Sequence, residues 1–151
     1  MACRTMKNYI YLLLALICLI STGCNNYTYT LNEQPIFSPP SLFNDYKISD
    51  AALDNCVKQA IIDNNVTSPN QLTQLNCSSA GIEKLTGLEI FTGLSHINFN
   101  QNNLVEIKPL LFLQHLVIVN LEKNPQLSCA DGRLLAKQVG NSVNLPAHCE
   151  K

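Results

Sequence analysis

The sequence carries little charge and no basic excess. Charged residues make up 14% of the 151, and ten Lys and Arg stand against eleven Asp and Glu, a formal net charge of -1. Domains that bind nucleic acid usually carry a basic patch or stripe, so we expect no nucleic-acid partner. With 46% hydrophobic residues, the chain can still bury the core of one small domain.

Catalytic and metal-binding constellations are also lacking. Catalysis requires a nucleophile, a base and an orienting group that converge in a pocket. His96, His115 and His148 are far apart in the sequence, and they show no metal-ligand spacing with the carboxylates. We therefore expect no enzyme activity, no cofactor and no metal site. An enzyme assembled on the irregular loops is the alternative.

The apolar run from Tyr9 to Ile20 is too short for a comfortable membrane span. Arg4 and Lys7 precede it, which is typical of a secretory signal peptide whose translation starts at Met1 or Met6. The run ends in Ile-Ser-Thr-Gly-Cys at positions 20–24. This resembles a bacterial lipobox, although a serine stands where leucine is usual.

That resemblance implies a signal peptide over residues 1–23 and lipidation of Cys24. Of the seven cysteines, Cys3 and Cys18 would leave with the signal peptide. Four of the remaining five can pair, and acylation of Cys24 accounts for the odd one. Ordinary signal-peptidase cleavage, giving a secreted or periplasmic protein, is the alternative.

Membrane attachment would then depend on the lipid. Loss of Arg4 and Lys7 leaves eight basic against eleven acidic residues, a balance of -3, which does not favour an anionic membrane surface. We expect a cell-envelope lipoprotein. Asn25, in place of the aspartate that often signals inner-membrane retention, favours the outer membrane.

Residues 24–46 show no sustained periodicity and contain Pro35, Pro39 and Pro40. This composition predicts a lipidated cysteine followed by a flexible tether. The alternative is that the aromatic residues of this stretch pack on the flank of the domain; they are Tyr27, Tyr29, Phe37 and Phe43.

A 22-residue spacing governs the chain after residue 71. In the middle segment, apolar residues alternate through Ile97 and Phe99, the period of a strand, and then recur every third residue from Leu104 to Leu113. The same apolar pattern occurs in the segment before and in the segment after this one. The aligned sets are Leu72, Leu75, Cys77, Ile82, Leu85, Leu88 and Phe91; Leu94, Ile97, Phe99, Leu104, Ile107, Leu110 and Leu113; and Leu116, Val119 and Leu121.

The shared pattern, L-x-x-L-x-L-x-x-N-x-L, marks a leucine-rich repeat. The chain resembles bacterial leucine-rich repeat proteins with short 22-residue repeats, the internalin-type class. We therefore expect an α/β solenoid of about three coils over residues 47–149, with parallel strands on one face. The coils are 72–93, 94–115 and 116–128.

Each strand must leave the sheet at a corner where backbone amides would lose their partners. Asn102 and Asn124 occupy this position in the second and third coils, and an asparagine side chain can both donate and accept. Ala80 stands there in the first coil. Backbone groups or the adjoining cap should close that corner.

Both ends of a solenoid need a cover. In the N-terminal cap, residues 47–71, we expect a helix over Ser49–Asn64 with Ser49 as its N-cap. In the C-terminal cap, residues 129–149, a helix should start near Asp131 and stop at Gly140. Its apolar residues Leu134, Leu135 and Val139 should cover the last coil.

The cap cysteines allow three connectivities. Cys77 takes an inward strand position at the end of the stack, and Cys56 lies on the helix face expected to meet it. We therefore favour Cys56–Cys77 and Cys129–Cys149. Each bridge closes a loop of about 20 residues, worth on the order of 3 kcal/mol.

The strand positions between the inward residues point outward and give three polar rows. Such side chains can bind an extended backbone or sugar hydroxyls. We expect a monomeric interaction module with an unknown protein ligand; a passive envelope component and a glycan-binding module are the alternatives. The expected binding face comprises Gln74, Asn76, Ser78, His96, Asn98, Asn100, Ile118, Asn120 and Glu122.

Overall fold

The computed structural model describes residues 29–32 and 34–149, and the chain divides into two compact units, residues 1–40 and 41–151. The expected signal peptide and Cys24 lie outside the described residues. In the first unit, β1 (Tyr29–Leu31) and β2 (Gln34–Phe37) pair antiparallel. Asn32 adopts a φ of 50° at the turn, a conformation that asparagine tolerates. The stretch expected to be a tether without regular structure therefore contains a hairpin.

The second unit is built on a four-stranded parallel sheet, with one helix before it and one within its last connection. The helices are α1 (Ala51–Asp63) and α2 (Cys129–Val139). In sheet order, the strands are β3 (Gln74–Asn76), β4 (His96–Asn98), β5 (Ile118–Asn120) and β6 (Val143–Asn144). Short 3₁₀ helices span Pro69–Gln71, Leu88–Ile90, Lys108–Phe112 and Ala147–Cys149.

The first three strands align at the repeat spacing. Leu75 pairs with Ile97, and Ile97 pairs with Val119. These three side chains are at most 2% exposed, so they form one row of the core. Strand β6 was not anticipated from the spacing, because Val143, which pairs with Val119, lies two positions beyond the place that the repeat interval indicates.

The connections between the strands bury their apolar residues at intervals of three. In the middle segment, Leu104, Ile107, Leu110 and Leu113 are all 0% exposed. The 3₁₀ helix Lys108–Phe112 produces this spacing, because a 3₁₀ helix has three residues per turn. The core therefore lies between the sheet and these connections.

Strands β3, β4 and β5 leave the sheet through the same backbone bend. Ser79, Gln101 and Lys123 have φ values of 57°, 58° and 56°, and they recur at the same interval as the strands. Left-handed backbone is uncommon for residues other than glycine. Its recurrence at one interval shows that the three corners share one geometry.

Two buried asparagines close these corners. The Oδ1 atom of Asn102 accepts from the backbone N–H groups of Ala80 (3.1 Å) and Ile82 (3.0 Å). Its Nδ2 atom donates to the carbonyl oxygens of Cys77 (2.9 Å) and Phe99 (3.0 Å). The first corner, where Ala80 replaces asparagine, is therefore closed from the following segment.

Asn124 repeats the arrangement one segment later. Its Oδ1 atom accepts from the N–H of Leu104 (3.1 Å), and its Nδ2 atom donates to the carbonyls of Phe99 (3.0 Å) and Leu121 (2.8 Å). Asn102 and Asn124 are 3% and 0% exposed. Because both carboxamides are hydrogen-bonded, the free-energy cost of burying these polar groups is offset.

Helix α1 covers the first strand, and Leu53, Val57 and Ile61 form its buried stripe. Its N-cap is Asp50 rather than the expected Ser49, because Asp50 Oδ1 accepts from the N–H groups of Ala52 and Leu53, both at 3.0 Å. A carboxylate at this position satisfies amides that the helix leaves unpaired.

The second oxygen of the same carboxylate holds a distant loop. Asp50 Oδ2 accepts from the N–H groups of Glu83 (2.9 Å) and Lys84 (3.0 Å). Burial opposes ionisation of Asp50, but these backbone donors outweigh it and hold the pKa below its usual value of 3.8. Asp50 thereby joins the start of α1 to the connection that follows β3.

The second unit begins before the expected boundary at residue 47. Phe43 and Tyr46 pack on the buried Phe91, with ring centroids 6.0 and 5.5 Å away. The backbone N–H of Phe43 donates to the carbonyl of Val66 (2.8 Å). Residues from Ser41 onward therefore belong to this unit, as the flank-packing alternative anticipated for Phe43.

Helix α2 covers the other end, and it starts at Cys129, two residues before the expected Asp131. Gly140, with a φ of 93°, ends it. Leu135 is 0% exposed, whereas Leu134 is 52% exposed. The expectation that Leu134 covers the core was wrong, because Leu134 lies on the exposed side of the helix, about 100° around the axis from Leu135.

The disulfides join Cys56 with Cys77 and Cys129 with Cys149, at Cα–Cα distances of 5.9 and 5.0 Å. These are the pairs that the sequence favoured, and each ties a helix to the strands or turns it covers. Disulfides of this kind are typical of exported proteins. Over the described ranges, the helices are all too short or too polar to cross a membrane.

Replacing Asp50 with alanine should lower the free energy of unfolding by about 1–3 kcal/mol, because four backbone N–H groups lose their acceptor. Since the folded pKa lies below the unfolded value, the ionised carboxylate stabilises the fold above pH 3.8. That contribution is lost as the pH falls through the folded pKa.

Urea denaturation between pH 2 and pH 7 measures both effects. The difference between wild type and Asp50→Ala should shrink on acidification, while Asp45→Ala, at an exposed position, serves as the control. A difference that is unchanged at the lowest pH would refute the role given to Asp50.

Candidate binding face

Six of the nine outward positions identified from the sequence lie on strands β3, β4 and β5, and the other three lie two residues beyond the strand ends. We call all nine the sheet face: Gln74, Asn76, Ser78, His96, Asn98, Asn100, Ile118, Asn120 and Glu122. The strand register places Gln74 beside His96 and His96 beside Ile118. Asn76, Asn98 and Asn120 form the middle row, which Asn144 of β6 extends.

A groove of about 730 Å³ runs over this face, bordered on one side by the end of α1. The helix contributes Gln59, Asp63 and Asn64, and the sheet contributes two of the three rows and Asn144. The third row lies outside the groove; its residues are Ser78, Asn100 and Glu122. The candidate surface is therefore a sheet with a helical wall.

The middle-row asparagines turn their oxygens toward their own chain. Oδ1 of Asn98 accepts from the N–H of Asn100 (3.0 Å), and Oδ1 of Asn120 accepts from the N–H of Glu122 (3.0 Å). Asn76 makes a longer bond of the same kind to Ser78, 3.3 Å. These contacts fix the amide orientations, because a backbone N–H can donate to the oxygen of a carboxamide but not to its NH₂ group.

The Nδ2 groups of the same asparagines make no hydrogen bond to a protein acceptor within residues 29–32 and 34–149. The row therefore does not satisfy itself along the sheet. The face therefore presents a line of amide donors at the spacing of adjacent strands, about 4.8 Å.

His96 adds an imidazole to the face. Ser95 Oγ lies 3.0 Å from the carbonyl oxygen of Thr73 and 2.9 Å from Nδ1 of His96. The Thr73 carbonyl also accepts from the backbone N–H groups of Ser95 and His96. Nε2 of His96 can donate or accept a hydrogen bond, according to the tautomer.

The third row is partly closed on itself. Asn100 Nδ2 donates to Glu122 Oε2 at 3.3 Å. Ile118 stands apart in the first row as an apolar side chain that is 46% exposed. Asp63 is the charged residue of the groove, where no lysine or arginine lines the wall among the described residues.

Two contributors to the groove were missed from the sequence. Asn144 pairs with Asn120 but lies two positions beyond the repeat interval, so alignment at that interval does not find it. The α1 wall could have been found, because Gln59 and Asp63 follow Cys56 by three and seven residues and share its helix face. The disulfide of Cys56 with Cys77 places that helix face beside the first strand.

The histidines do not meet one another. His148 lies beside Cys129 and Cys149, and the candidate ligand atoms of these three residues are within 4.8 Å of one another. Both sulfurs belong to the disulfide, so neither is a thiolate that could bind a metal. Nε2 of His148 contacts the carbonyl of Leu127 at 3.1 Å.

Comparison with known proteins adds little to what the geometry of the fold and the face shows. No protein-family model and no curated protein matches the chain. Among solved structures, the chain is similar to the structure of the CBM51-2 and INT domains from Clostridium perfringens ZmpB, with 20% identity and a TM-score of 0.39. The match covers 57% of this chain and 21% of that chain, a similarity too weak to define a shared fold.

Proposed function

We propose that residues 41–149 form a short leucine-rich repeat domain of the internalin type that binds a protein partner through the sheet face and does not act as an enzyme. The repeat assignment is supported by the common interval of strands, left-handed corners and buried asparagines. The line of unused Nδ2 donors above the groove carries the binding proposal.

An extended polypeptide suits the chemistry of this line. The Nδ2 groups of Asn76, Asn98 and Asn120 can donate to successive carbonyl oxygens, and the His96 imidazole can bond to a further backbone group. Ile118 offers an apolar contact between them. Asp63 and Glu122 favour a ligand segment that carries a basic side chain.

A sugar ligand fits less well. Sugars commonly stack an apolar face on an aromatic ring, and the described residues place no Phe, Tyr or Trp in the groove wall. The absence of a stacking platform would leave recognition to hydrogen bonds alone. Because such bonds exchange against water, each has a modest net value of about 1 kcal/mol.

The double substitution Asn98→Lys with Ile118→Glu tests the face. It removes a donor and the exposed apolar contact and adds two charges, so binding should fall by at least about tenfold. Gln126→Lys with Leu134→Glu is the matched control, because both positions are exposed and lie outside the sheet face.

The measurement uses a photo-crosslinking amino acid at position 120 of the full chain in its native cells. We expect a discrete polypeptide adduct that the double substitution abolishes and the control preserves. No adduct, or one that survives the double substitution, would indicate a passive envelope component. A carbohydrate adduct would replace the protein ligand with a glycan.

We further propose that Cys24 carries lipid and anchors the domain in the cell envelope, with the outer membrane favoured. The lipobox-like sequence at positions 20–24 and the two disulfides support export. The five cysteines expected after signal removal then divide into two pairs and one acylated residue. Durable attachment needs more than one acyl chain.

Intact-mass measurement of the exported protein tests the anchor. We expect a chain that begins at Cys24, with the added mass of at least two acyl chains and a loss of four hydrogens for two disulfides. Treatment with a reductant should restore the four hydrogens and leave the acyl mass. An unlipidated N-terminus would contradict the anchoring proposal.

A further inference from the structure

We propose that the Cys129–Cys149 disulfide is a thiol–disulfide exchange site that reacts with a dithiol, whereas the Cys56–Cys77 disulfide is purely structural. The observation behind this proposal is the position of His148, which has a ring nitrogen within 4.8 Å of both sulfurs of the first bridge. The exchange site shares no residue with the sheet face, so the inference goes beyond the proposed ligand site.

Exposure does not distinguish the two bridges. Cys129 and Cys56 are both half-buried, and their respective partners, Cys149 and Cys77, are 4% and 3% exposed. An incoming thiol can therefore reach one sulfur of each bridge, and the buried sulfur must leave as the thiolate. The surroundings of the buried sulfur then decide how readily each bridge exchanges.

The two buried sulfurs differ in the help that they receive on leaving. Both buried cysteines belong to the hydrophobic core, and apolar surroundings disfavour a thiolate. His148 offsets this cost for Cys149, because its ring can give a proton to the departing sulfur. Among the described residues, no histidine, aspartate or glutamate stands in the same relation to both sulfurs of the Cys56–Cys77 bridge. The leaving group is therefore assisted in one bridge and unassisted in the other.

The contacts of His148 define how its ring can carry a proton. Nε2 lies 3.1 Å from the carbonyl oxygen of Leu127. A carbonyl oxygen can only accept, so Nε2 holds a proton in this contact and Nδ1 is the basic nitrogen of the neutral ring. The same carbonyl oxygen lies 3.9 Å from the sulfur of Cys129 and 3.9 Å from that of Cys149. The imidazole is thus anchored beside the bridge.

The exchange balances with one dithiol as the co-reactant. The first thiol passes its proton to Nδ1 of His148, and its thiolate attacks the sulfur of Cys129. The sulfur–sulfur bond of the bridge breaks, and Cys149 leaves as a thiolate that takes a proton from the imidazolium. The second thiol of the co-reactant then attacks the mixed disulfide, and Cys129 leaves with the second proton. The chain gains two thiols, and the dithiol is oxidised to a disulfide.

The C-terminal cap does not depend on the bridge alone. Leu145 packs so closely against Gly132 of α2 that a Cβ built on this glycine would lie 2.9 Å from Leu145 Cδ2. Strand β6 is held to β5 by the N–H of Leu121, which donates to the carbonyl of Asn144 (2.8 Å). The bridge can therefore open and close while the cap remains folded.

Timed reduction of the full exported chain with dithiothreitol, without denaturant, tests the proposal. Samples are alkylated at intervals, and peptide mass spectrometry measures the label at each cysteine. We expect Cys129 and Cys149 to be labelled at least about tenfold faster than Cys56 and Cys77. Equal rates, or faster opening of the Cys56–Cys77 bridge, would overturn the proposal.

The variant His148→Gln separates proton transfer from support of the cap. Glutamine can still donate to the carbonyl of Leu127, but it cannot carry a proton, so the Cys129–Cys149 bridge should open at least about tenfold more slowly. A histidine with a structural role alone predicts the opposite result, because a loosened cap would expose the bridge. His115→Gln is the matched control, since His115 is exposed and lies outside the site, and it should leave both rates unchanged. An unchanged or faster rate in His148→Gln would refute the assignment.

Discussion

The fold of the second unit depends on how each chain segment leaves the sheet. At that bend the backbone runs inside the molecule, and its N–H and carbonyl groups lack ladder partners. Asn102 and Asn124 supply those partners from the following segment, each with one side-chain amide. Because an asparagine bonds to the segment before it as well as to its own, the corners join neighbouring segments as well as bend them.

This link between segments fixes the strand register and, through it, the outer surface. Once Leu75, Ile97 and Val119 share one buried row, the residues on either side of them must point outward. Gln74, Asn76 and their equivalents therefore form rows by necessity, whatever their chemistry. Their chemistry is then free to serve the recognition that we propose for this face.

Much of this could be predicted because the signal is periodic. The repeat spacing predicted the three strands, the inward row and the outward rows. The place of Cys77 in that spacing, with Cys56 on the facing side of the helix, favoured the cysteine pairs. The features that the sequence did not predict lie where the periodicity ends. Strand β6 comes two positions later than the repeat interval indicates, and the hairpin of the first unit has no repeat to reveal it. Tyr46 packs on Phe91 through an aromatic contact that no sequence pattern predicts. The closure of the Ala80 corner also depends on Asn102 in the next segment, which a reading of each segment by itself does not reveal.

The most direct test of the account is the stability of Asn102→Ala against Asn103→Ala, measured by urea denaturation. Asn102 is buried and bonds to two N–H groups and two carbonyls of the backbone, whereas Asn103 is exposed. At about 1–3 kcal/mol for each buried polar group left unpaired, Asn102→Ala should cost at least about 3 kcal/mol or prevent folding, while Asn103→Ala should change the free energy of unfolding by less than about 0.5 kcal/mol. Equal, small effects of the two substitutions would contradict the central role of the corner asparagines.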